Sequence, residues 1–409
     1  MPPALIPNLW NADAAPAPPL DALRYRSNLL GADLRITNFG GGNTSAKFAG
    51  SEGASVMAVK GSGSDLGSIT NEGFALLHQH KLDALKHRYR GLAHEDEMVA
   101  CYPDCALDGS KVRTSIDTPL HAYLPFPHID HLHPEWVIAL AASANGVEKL
   151  AEFNRRYQRH LIWIPWARPG FELGLMLERA VQLAALHHQP CDGLVLANHG
   201  LFTWGQTSQA CYQQSLTIVN EMGEFVLSHH DHEPFGGTLH ETRAAERPIE
   251  DQEHEHFIAT PEVLAFANSH WASELCRRGT SCPDHFIRTK VEALYLAPGE
   301  DPEPALAAYR RRYTAYYEAH REPDSPALRD PNPTVIVAAG TGLFTYGRTE
   351  KEARVTGEFF ASTINVMAGA TAMGGLDNYA ALPPREAFRI EYWSLEEAKL
   401  RDRKVAGTL

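Results

Sequence analysis

At 409 residues the chain is long enough for two domains, and its hydrophobic content of 44% can fill a sizeable core. Its 37 basic and 50 acidic residues leave a formal charge of −13, which argues against a nucleic-acid backbone or an anionic membrane as the main partner. The chain has neither a secretory leader pattern nor an apolar run near the ~20 residues that span a bilayer, so we expect a cytoplasmic protein. Its six cysteines form no C-x-x-C pair and are expected to be reduced thiols.

The first elements in the chain are an arm and a helix. Residues 1–20 are rich in proline and alanine, which predicts an extended arm that could lie on a neighbouring subunit. The pattern that follows is helical and ends at Gly31. Two strand-like pieces are then predicted within residues 36–48, and another strand at 56–59.

Two glycine-rich clusters follow predicted strands in this region, at residues 40–45 and 60–64. Glycine lets the backbone turn several N–H groups toward one point, and nearby side chains can add donors. Those side chains are Asn43, Ser45, Ser62 and Ser64. Neither cluster matches a P-loop or a dinucleotide-binding fingerprint, so two interpretations stay open, a phosphate cradle and a pair of tight turns.

Residues 114–134 concentrate two carboxylates, Asp117 and Asp130, and four histidines, after helical patterns at residues 71–89 and 94–101. Asp117 lies at the start of a short predicted helix. His131 and His133 lie two apart in a predicted buried strand, so their imidazoles point to the same face and could share a metal. Such pairs also arise by chance in a chain with 21 histidines, so a third ligand is required.

The third candidate ligand is His199. It follows an apolar strand at a polar corner within residues 192–205, before a returning strand and a helix at 208–228. Three histidines favour a zinc site with an open position for substrate or water. Glu172, in the first turn of an amphipathic helix, either stabilises the helix dipole or reaches the active site.

The second half contains an echo of the first. Residues 333–349 repeat the hairpin of residues 191–207, with Thr341 at the place of His199. We therefore predict an N-terminal arm at 1–20, a catalytic domain at 21–230, a linker at 231–256 and a C-terminal lobe at 257–409. The lobe is predicted to be a partial duplicate that has lost the metal ligand, and to serve packing or substrate access.

The motifs G-G-N-T-S (41–45), K-G-S-G (60–63), T-S-I-D-T-P-L-H (114–121), H-L-H-P (131–134) and N-H-G-L (198–201) together resemble the class II, metal-dependent sugar-phosphate aldolase and adducin-head superfamily. The lobe, with C-P-D-H-F-I-R-T-K at 282–290, resembles the aldolase part of bifunctional rhamnulose-1-phosphate aldolase and short-chain dehydrogenase proteins. The resemblance implies an α/β fold with a central sheet flanked by helices, and a homo-oligomer, with a tetramer favoured. A dehydrogenase would be absent from this chain or be a separate protein.

The resemblance also implies roles for particular residues. His131, His133 and His199 correspond to ligands of Zn²⁺, or of another divalent metal, and Asp117 to the acid/base carboxylate. The positions that would bind substrate phosphate are Asn43, Ser62, Gly63 and Ser115. The implied reaction is cleavage of a phosphorylated ketose, expected to be L-rhamnulose 1-phosphate, to dihydroxyacetone phosphate and L-lactaldehyde in rhamnose catabolism.

Three alternatives stay open. The aldolases of this superfamily usually carry Glu at the position of Asp117, and the D-T-P form occurs in ribulose-phosphate 4-epimerases, so an epimerase is the closest rival. Glu172 remains a second acid/base candidate. A non-catalytic, adducin-like interaction module is the third alternative.

Overall fold

The computed structural model describes residues 5–50, 53–107, 110–243, 248 and 254–395. The chain is a mixed α/β protein with two compact units, Met1–Val137 with Val147–Phe225, and Ile138–Gly146 with Val226–Leu409. Residues 138–146, which the predicted domain limits place in the catalytic domain, group with the second unit, where Ile138 and Ala142 join its core. No helix in the described ranges has the length and apolarity to cross a membrane. All six cysteines are free thiols.

The first unit is built on a seven-stranded sheet. Its strands are β1 (Asn43–Ala49), β2 (Ser55–Lys60), β3 (Phe74–His78), β4 (His128–Leu132), β5 (Leu161–Ile164), β6 (Gly193–Leu196) and β7 (Gly200–Gly205). The spatial order is β3-β2-β1-β4-β7-β6-β5, and all pairings are antiparallel except β5 with β6. The helices up to residue 227 are α1 (Pro19–Leu30), α2 (Gln79–Ala84), α3 (Glu95–Val99), α4 (Thr118–Ala122), α5 (Glu135–Ala141), α6 (Gly146–Tyr157), α7 (Phe171–Leu186) and α8 (Ser208–Leu227).

Strand β4 lies at the centre of this sheet and is fastened by a buried ion pair. Arg26 of α1 lies 2.9 Å from Asp130 of β4, measured from Nε to Oδ1, and both side chains are fully buried. The other carboxylate oxygen of Asp130 accepts a hydrogen bond of 2.7 Å from Ser215 of α8. Because loss of one partner would leave an uncompensated buried charge, at a cost of about 3–5 kcal/mol, these contacts hold β4 firmly between two helices.

The second unit contains a four-stranded sheet, β8 (Glu255–Ile258), β9 (Leu294–Leu296), β10 (Val335–Ala338) and β11 (Gly342–Tyr346), in the order β8-β11-β10-β9. Its helices are α9 (Pro261–Ala267), α10 (Ala272–Arg278), α11 (Pro283–Thr289), α12 (Pro302–His320), α13 (Glu350–Ala372) and α14 (Pro384–Glu391).

The topology of this smaller sheet repeats that of β4-β7-β6-β5. In both, an antiparallel hairpin has a parallel strand on one side and an antiparallel strand on the other. The register places Phe257 opposite Phe344, whereas His131 lies opposite Phe202 in the first sheet. The sequence echo therefore extends to strand order and register, and the position equivalent to His131 carries a phenylalanine.

Two predicted elements are wrong. The helical prediction for residues 71–89 covers β3, a segment in which only Phe74 favours strands but which pairs along β2. Tertiary pairing overrides local propensity there. Of the two strands predicted in residues 36–48, only β1 forms, because Gly40 and Gly42 adopt φ values of 72° and 64° that end an extended run.

The described part of the predicted arm lies on the chain's own helix α8. The backbone N–H of Ile6 donates to Asn220 Oδ1 and its carbonyl accepts from Asn220 Nδ2, both at 2.9 Å. The backbone N–H of Leu9 donates to the hydroxyl of Tyr212 at 3.1 Å. The segment is therefore held in the first unit by contacts within the chain.

Candidate active site

His131, His133 and His199 converge on one point of the first unit. His131 belongs to β4, His133 follows the end of that strand, and His199 lies in the turn between β6 and β7. All three are buried. Nε2 of His131 lies 3.1 Å from Nε2 of His133 and 3.2 Å from Nε2 of His199. The structure thus brings together the three candidate metal ligands predicted from the sequence.

The turn that presents His199 depends on Asn198. Asn198 has a positive φ of 51°, a conformation that asparagine tolerates better than most residues. The backbone N–H of His199 then donates to the carbonyl of Leu196 at 3.1 Å. This tight corner brings His199 back beside β4 through the pairing of β7 with that strand.

The protonation state of His131 follows from its surroundings. Its Nδ1 lies 3.2 Å from the carbonyl oxygen of Leu201, which can only accept, so Nδ1 carries the proton and Nε2 presents a lone pair. Burial, with the adjacent His133 and His199, lowers the pKa of His131 well below its usual value. A neutral imidazole with a free lone pair is the form that binds a metal.

The spacing of the three nitrogens fits a divalent cation. Zinc–nitrogen bonds of about 2.0–2.1 Å in tetrahedral geometry place two ligand nitrogens about 3.3–3.4 Å apart. The Nε2–Nε2 separations of 3.1 and 3.2 Å lie close to that value. The ring of Phe202 stacks on His131 at a centroid distance of 4.2 Å and an interplanar angle of 9°, which fixes the ring plane. The residues present therefore fit a zinc-like metal.

Asp117 occupies the N-cap position of α4, but its carboxylate does not cap that helix. Instead, Oδ2 accepts hydrogen bonds from Asn43 Nδ2 at 3.1 Å and from the Ser115 hydroxyl at 3.3 Å. Asn43 lies directly opposite His131 in the pairing of β1 with β4. Directly opposed residues project to the same face of a sheet, so Asn43 links the carboxylate to the strand of the histidines.

His121 belongs to the same hydrogen-bonded group, although sequence analysis did not single it out. Its side chain is fully buried, with Nδ1 at 2.8 Å from Ser45 Oγ and Nε2 at 3.3 Å from Asn43 Oδ1. Burial lowers its pKa to about 3, helped by the charges of Lys47, Arg26 and Lys60, so the ring is neutral. The spacing of four residues from Asp117 on a helix could have identified it, because such residues share a helix face.

The residues predicted to bind phosphate fall into two groups. Asn43 and Ser115 are hydrogen-bonded to Asp117, as described above. Ser62 and Gly63 lie in the loop after β2, where Gly63 has a φ of 90° and the Ser62 N–H donates to the carbonyl of Arg113 at 3.0 Å. The Ser62 hydroxyl is buried and has no hydrogen-bond partner within the described residues. A buried donor of this kind can serve an anion.

Lys60 connects the two glycine-rich clusters. Its ammonium donates to the carbonyl of Ser64 at 2.8 Å and approaches that of Gly40 at 3.4 Å. The residue is 1% exposed, so it places a positive charge beneath both loops. Lys60 belongs to the K-G-S-G motif but was not among the residues predicted to bind phosphate.

Glu172 has different neighbours. Its carboxylate lies 3.6 Å from Nη1 of Arg179, and its backbone N–H donates to the carboxylate of Glu95, a buried residue of α3. Burial raises the pKa of Glu95. The carboxylate of Asp117, by contrast, is hydrogen-bonded to Asn43, the residue paired with His131. The structure therefore places Asp117 in the hydrogen-bonded group beside the histidines, and gives Glu172 a different set of contacts.

Two family models match most of the chain. Residues 25–222 match the class II aldolase and adducin N-terminal domain, and residues 238–400 match the second domain of class II aldolases. The chain belongs to the class II aldolase and adducin family. This confirms the resemblance to the class II aldolase and adducin superfamily and the predicted α/β fold, with a large central sheet flanked by helices and a further α/β region. Membership of the class II aldolase and adducin family is consistent with a lyase or an epimerase.

A curated relative aligns along almost the whole chain. It is named uncharacterized oxidoreductase YuxG of Bacillus subtilis (strain 168) and is 31% identical over an alignment 437 positions long that covers 97% of this chain. The chain spans 60% of the length of that relative.

Solved structures of class II aldolase domains are similar to about half of the chain. An N-terminal class II aldolase domain of a conserved protein from Thermoplasma acidophilum is 27% identical, with a TM-score of 0.47, and covers 54% of this chain and 99% of its own. L-fuculose-1-phosphate aldolase from Thermus thermophilus is 16% identical, with a TM-score of 0.34, and covers 51% of this chain and 94% of its own.

Proposed function

We propose that this class II aldolase family protein is a divalent-metal-dependent aldolase that cleaves a ketose 1-phosphate to dihydroxyacetone phosphate and an aldehyde. L-Rhamnulose 1-phosphate is the substrate we expect, which would give L-lactaldehyde as the second product. The observation that carries the proposal is the convergence of three buried imidazoles next to a carboxylate held by hydrogen bonds.

His131, His133 and His199 would hold the metal, with zinc the expected ion. A bound divalent cation would supply Lewis-acid stabilisation of the negative charge that develops on the substrate's carbonyl oxygen. Three protein ligands leave coordination positions open for substrate, as in other catalytic zinc sites.

Asp117 would transfer the proton. When the C3–C4 bond of a ketose breaks, the C4 hydroxyl loses a proton and C3 gains one, so one carboxylate that accepts and returns a proton balances the reaction. Asp117 accepts hydrogen bonds from Asn43 and Ser115, so both neighbours act as donors to the carboxylate that would serve as the base. General acid–base catalysis of this kind contributes about 10²–10⁴ in rate.

The two glycine-rich loops would bind the substrate phosphate. The buried hydroxyl of Ser62, which has no hydrogen-bond partner in the described part of the chain, and the positive charge of Lys60 under both loops support this role. A phosphate bound by these loops would orient the sugar, and such orientation is a large part of catalysis.

The proposal is tested by assaying zinc-loaded protein with L-rhamnulose 1-phosphate, L-fuculose 1-phosphate and a pentulose 5-phosphate, with enzymatic detection of dihydroxyacetone phosphate. His131→Ala and His199→Ala should lose bound metal and cleavage together. His128→Gln is the matched control, because His128 belongs to the same strand but its Nδ1 contacts Arg26 at 3.0 Å. Normal zinc content and turnover in either alanine variant would overturn the three-histidine assignment.

A sugar-phosphate 4-epimerase is the second candidate, and the presence of Asp at residue 117 favours it. An epimerase needs the same metal and phosphate groups but rejoins the fragments instead of releasing them. Epimerisation of the pentulose phosphate, with no release of dihydroxyacetone phosphate from either ketose 1-phosphate, would establish that function and exclude the aldolase.

An adducin-like interaction module would not need the metal site. A zinc assay on purified protein separates this alternative, since a non-catalytic module has no reason to retain one tightly bound ion per chain.

The name of the longer relative supports a dehydrogenase as a functional partner for the aldehyde product. We also expect a homo-oligomer, which sedimentation analysis can test.

A further inference from the structure

We propose that His121 is a positioning residue that sets the orientation of the Asp117 carboxylate through the amide of Asn43. The proposal deepens the proposed function and rests on it, because the proton transfer assigned to Asp117 is what the positioning serves. The connection is a relay of hydrogen bonds that runs from Ser45 to His121, from His121 to Asn43 and from Asn43 to Asp117.

The direction of each hydrogen bond in this relay is determined by chemistry. A neutral imidazole has one N–H and one lone pair. The amide oxygen of Asn43, 3.3 Å from Nε2 of His121, can only accept, so Nε2 carries the proton. Nδ1 is then the acceptor, and the Ser45 hydroxyl donates to it across 2.8 Å.

The same reasoning fixes the amide of Asn43. With its oxygen directed to His121, its nitrogen faces Oδ2 of Asp117 at 3.1 Å. A rotated amide would place its oxygen against a carboxylate oxygen and its NH₂ against the N–H of His121. Both contacts would then be repulsive, so the accepting carboxylate of Asp117 and the N–H of His121 together select the one amide orientation in which Asn43 donates to Asp117.

The backbone reinforces this arrangement from two sides. Asn43 and Ser45 are two residues apart on β1, so both side chains point to the face where His121 lies. Asp117 and His121 are four residues apart at α4 and share a face of that helix. The relay therefore ties α4 to β1, the strand that pairs Asn43 with His131.

A buried histidine could also be no more than a packed core residue, and two conservative substitutions separate the roles. In His121→Gln the side-chain amide nitrogen can take the place of Nε2 and donate to Asn43. In His121→Asn the shorter side chain reaches only the position of Nδ1 and keeps the bond to Ser45. Each variant thus preserves one hydrogen bond of the wild-type ring and loses the other.

We expect His121→Asn to lower kcat about 10–100-fold, since a displacement near 1 Å in a reacting group costs about 10² in rate. KM and bound zinc should stay within about twofold of wild type, because the substitution does not alter contacts that bind the substrate equally in the ground state and the transition state. His121→Gln should recover most of kcat. Ser27→Ala is the control, since it removes a buried 2.6 Å contact with Thr44, the residue between Asn43 and Ser45, and should leave kcat unchanged.

A double-mutant cycle with Asp117→Asn tests whether the two residues act as one unit. In the Asp117→Asn background the effect of His121→Asn on kcat should disappear, because the carboxylate to be positioned is absent. The proposal would be overturned if the effects of His121→Asn and Asp117→Asn on kcat were additive. It would also be overturned if His121→Asn and His121→Gln lost equal amounts of kcat, or if His121→Asn kept the kcat of wild type.

Failure of the proposed function would be recognised separately, as a wild-type protein inactive on all three sugar phosphates with zinc bound. The relay is then tested by crystal structures of the two variants. The Asn43–Asp117 hydrogen bond should persist in His121→Gln and be lost in His121→Asn. Its persistence in both variants would overturn the proposal irrespective of activity.

Discussion

Substitution of Gly200 by alanine should weaken metal binding, although it replaces none of the three metal-ligand residues. Gly200 begins β7, one residue after His199, and a Cβ added there would meet the carbonyl oxygen of Leu132 and, at 2.8 Å, Cδ2 of His133. Ordinary van der Waals contact begins at 3.4 Å, so the edge of the His133 ring must withdraw by 0.6 Å (3.4 minus 2.8). Metal–ligand distances tolerate only about ±0.2 Å.

The expected result is a loss of metal affinity of about 10–100-fold, the range found when the orientation of a metal ligand is disturbed. Overpacking should also destabilise the fold by about 1–3 kcal/mol. Affinity is measured by competition with a chromophoric zinc chelator, and stability by urea unfolding of the metal-free protein.

Gly205→Ala is the matched control. Gly205 ends the same strand, and a Cβ there would meet the backbone at Cys211 and, at 2.8 Å, the carbonyl carbon of Ala210. It should lose similar stability yet keep wild-type zinc affinity. Wild-type zinc affinity in Gly200→Ala, or an equal loss in both variants, would refute the idea that His133 is a ligand held in place by the close approach of β7.

Further predictions concern the proton transfer, the phosphate and pH. Asp117→Asn should retain zinc and lose about 10²–10⁴ in kcat, whereas Glu172→Gln should stay near wild type; the reverse result in single-turnover assays would transfer the acid/base role to Glu172. Ser62→Ala should raise KM for a phosphorylated ketose, with little change in kcat, in steady-state assays. Burial lowers the pKa values of His121 and His128 to about 3 and about 4, so the folded protein binds fewer protons than the unfolded chain below pH 6.5. Metal-free protein should therefore lose stability as the pH falls from 7 to 5.5, by about 1 kcal/mol from His121 and less from the partly exposed His128. Equal or higher urea midpoints at pH 5.5 would contradict this.

The sequence alone determined the local features of the site. The spacing of His131 and His133 in a predicted buried strand indicated two imidazoles on one face; His131 lies in β4, His133 directly follows the end of that strand, and their Nε2 atoms lie 3.1 Å apart. The Asn198–His199–Gly200 corner predicted a hairpin, which forms between β6 and β7. These predictions succeeded because side-chain alternation in a strand and the geometry of a tight turn depend only on residues close in the chain.

Strand order and register were decided only by the tertiary structure. The pairing of Asn43 with His131, the bond from Asn43 to Asp117 across 74 residues of sequence, and the position of His121 between Asn43 and Ser45 all follow from β1 lying beside β4. Local periodicity carries no information about which strands become neighbours or at what offset. The sequence could therefore name the candidate ligands and the carboxylate, while the relay that orients the carboxylate emerged only from the folded sheet.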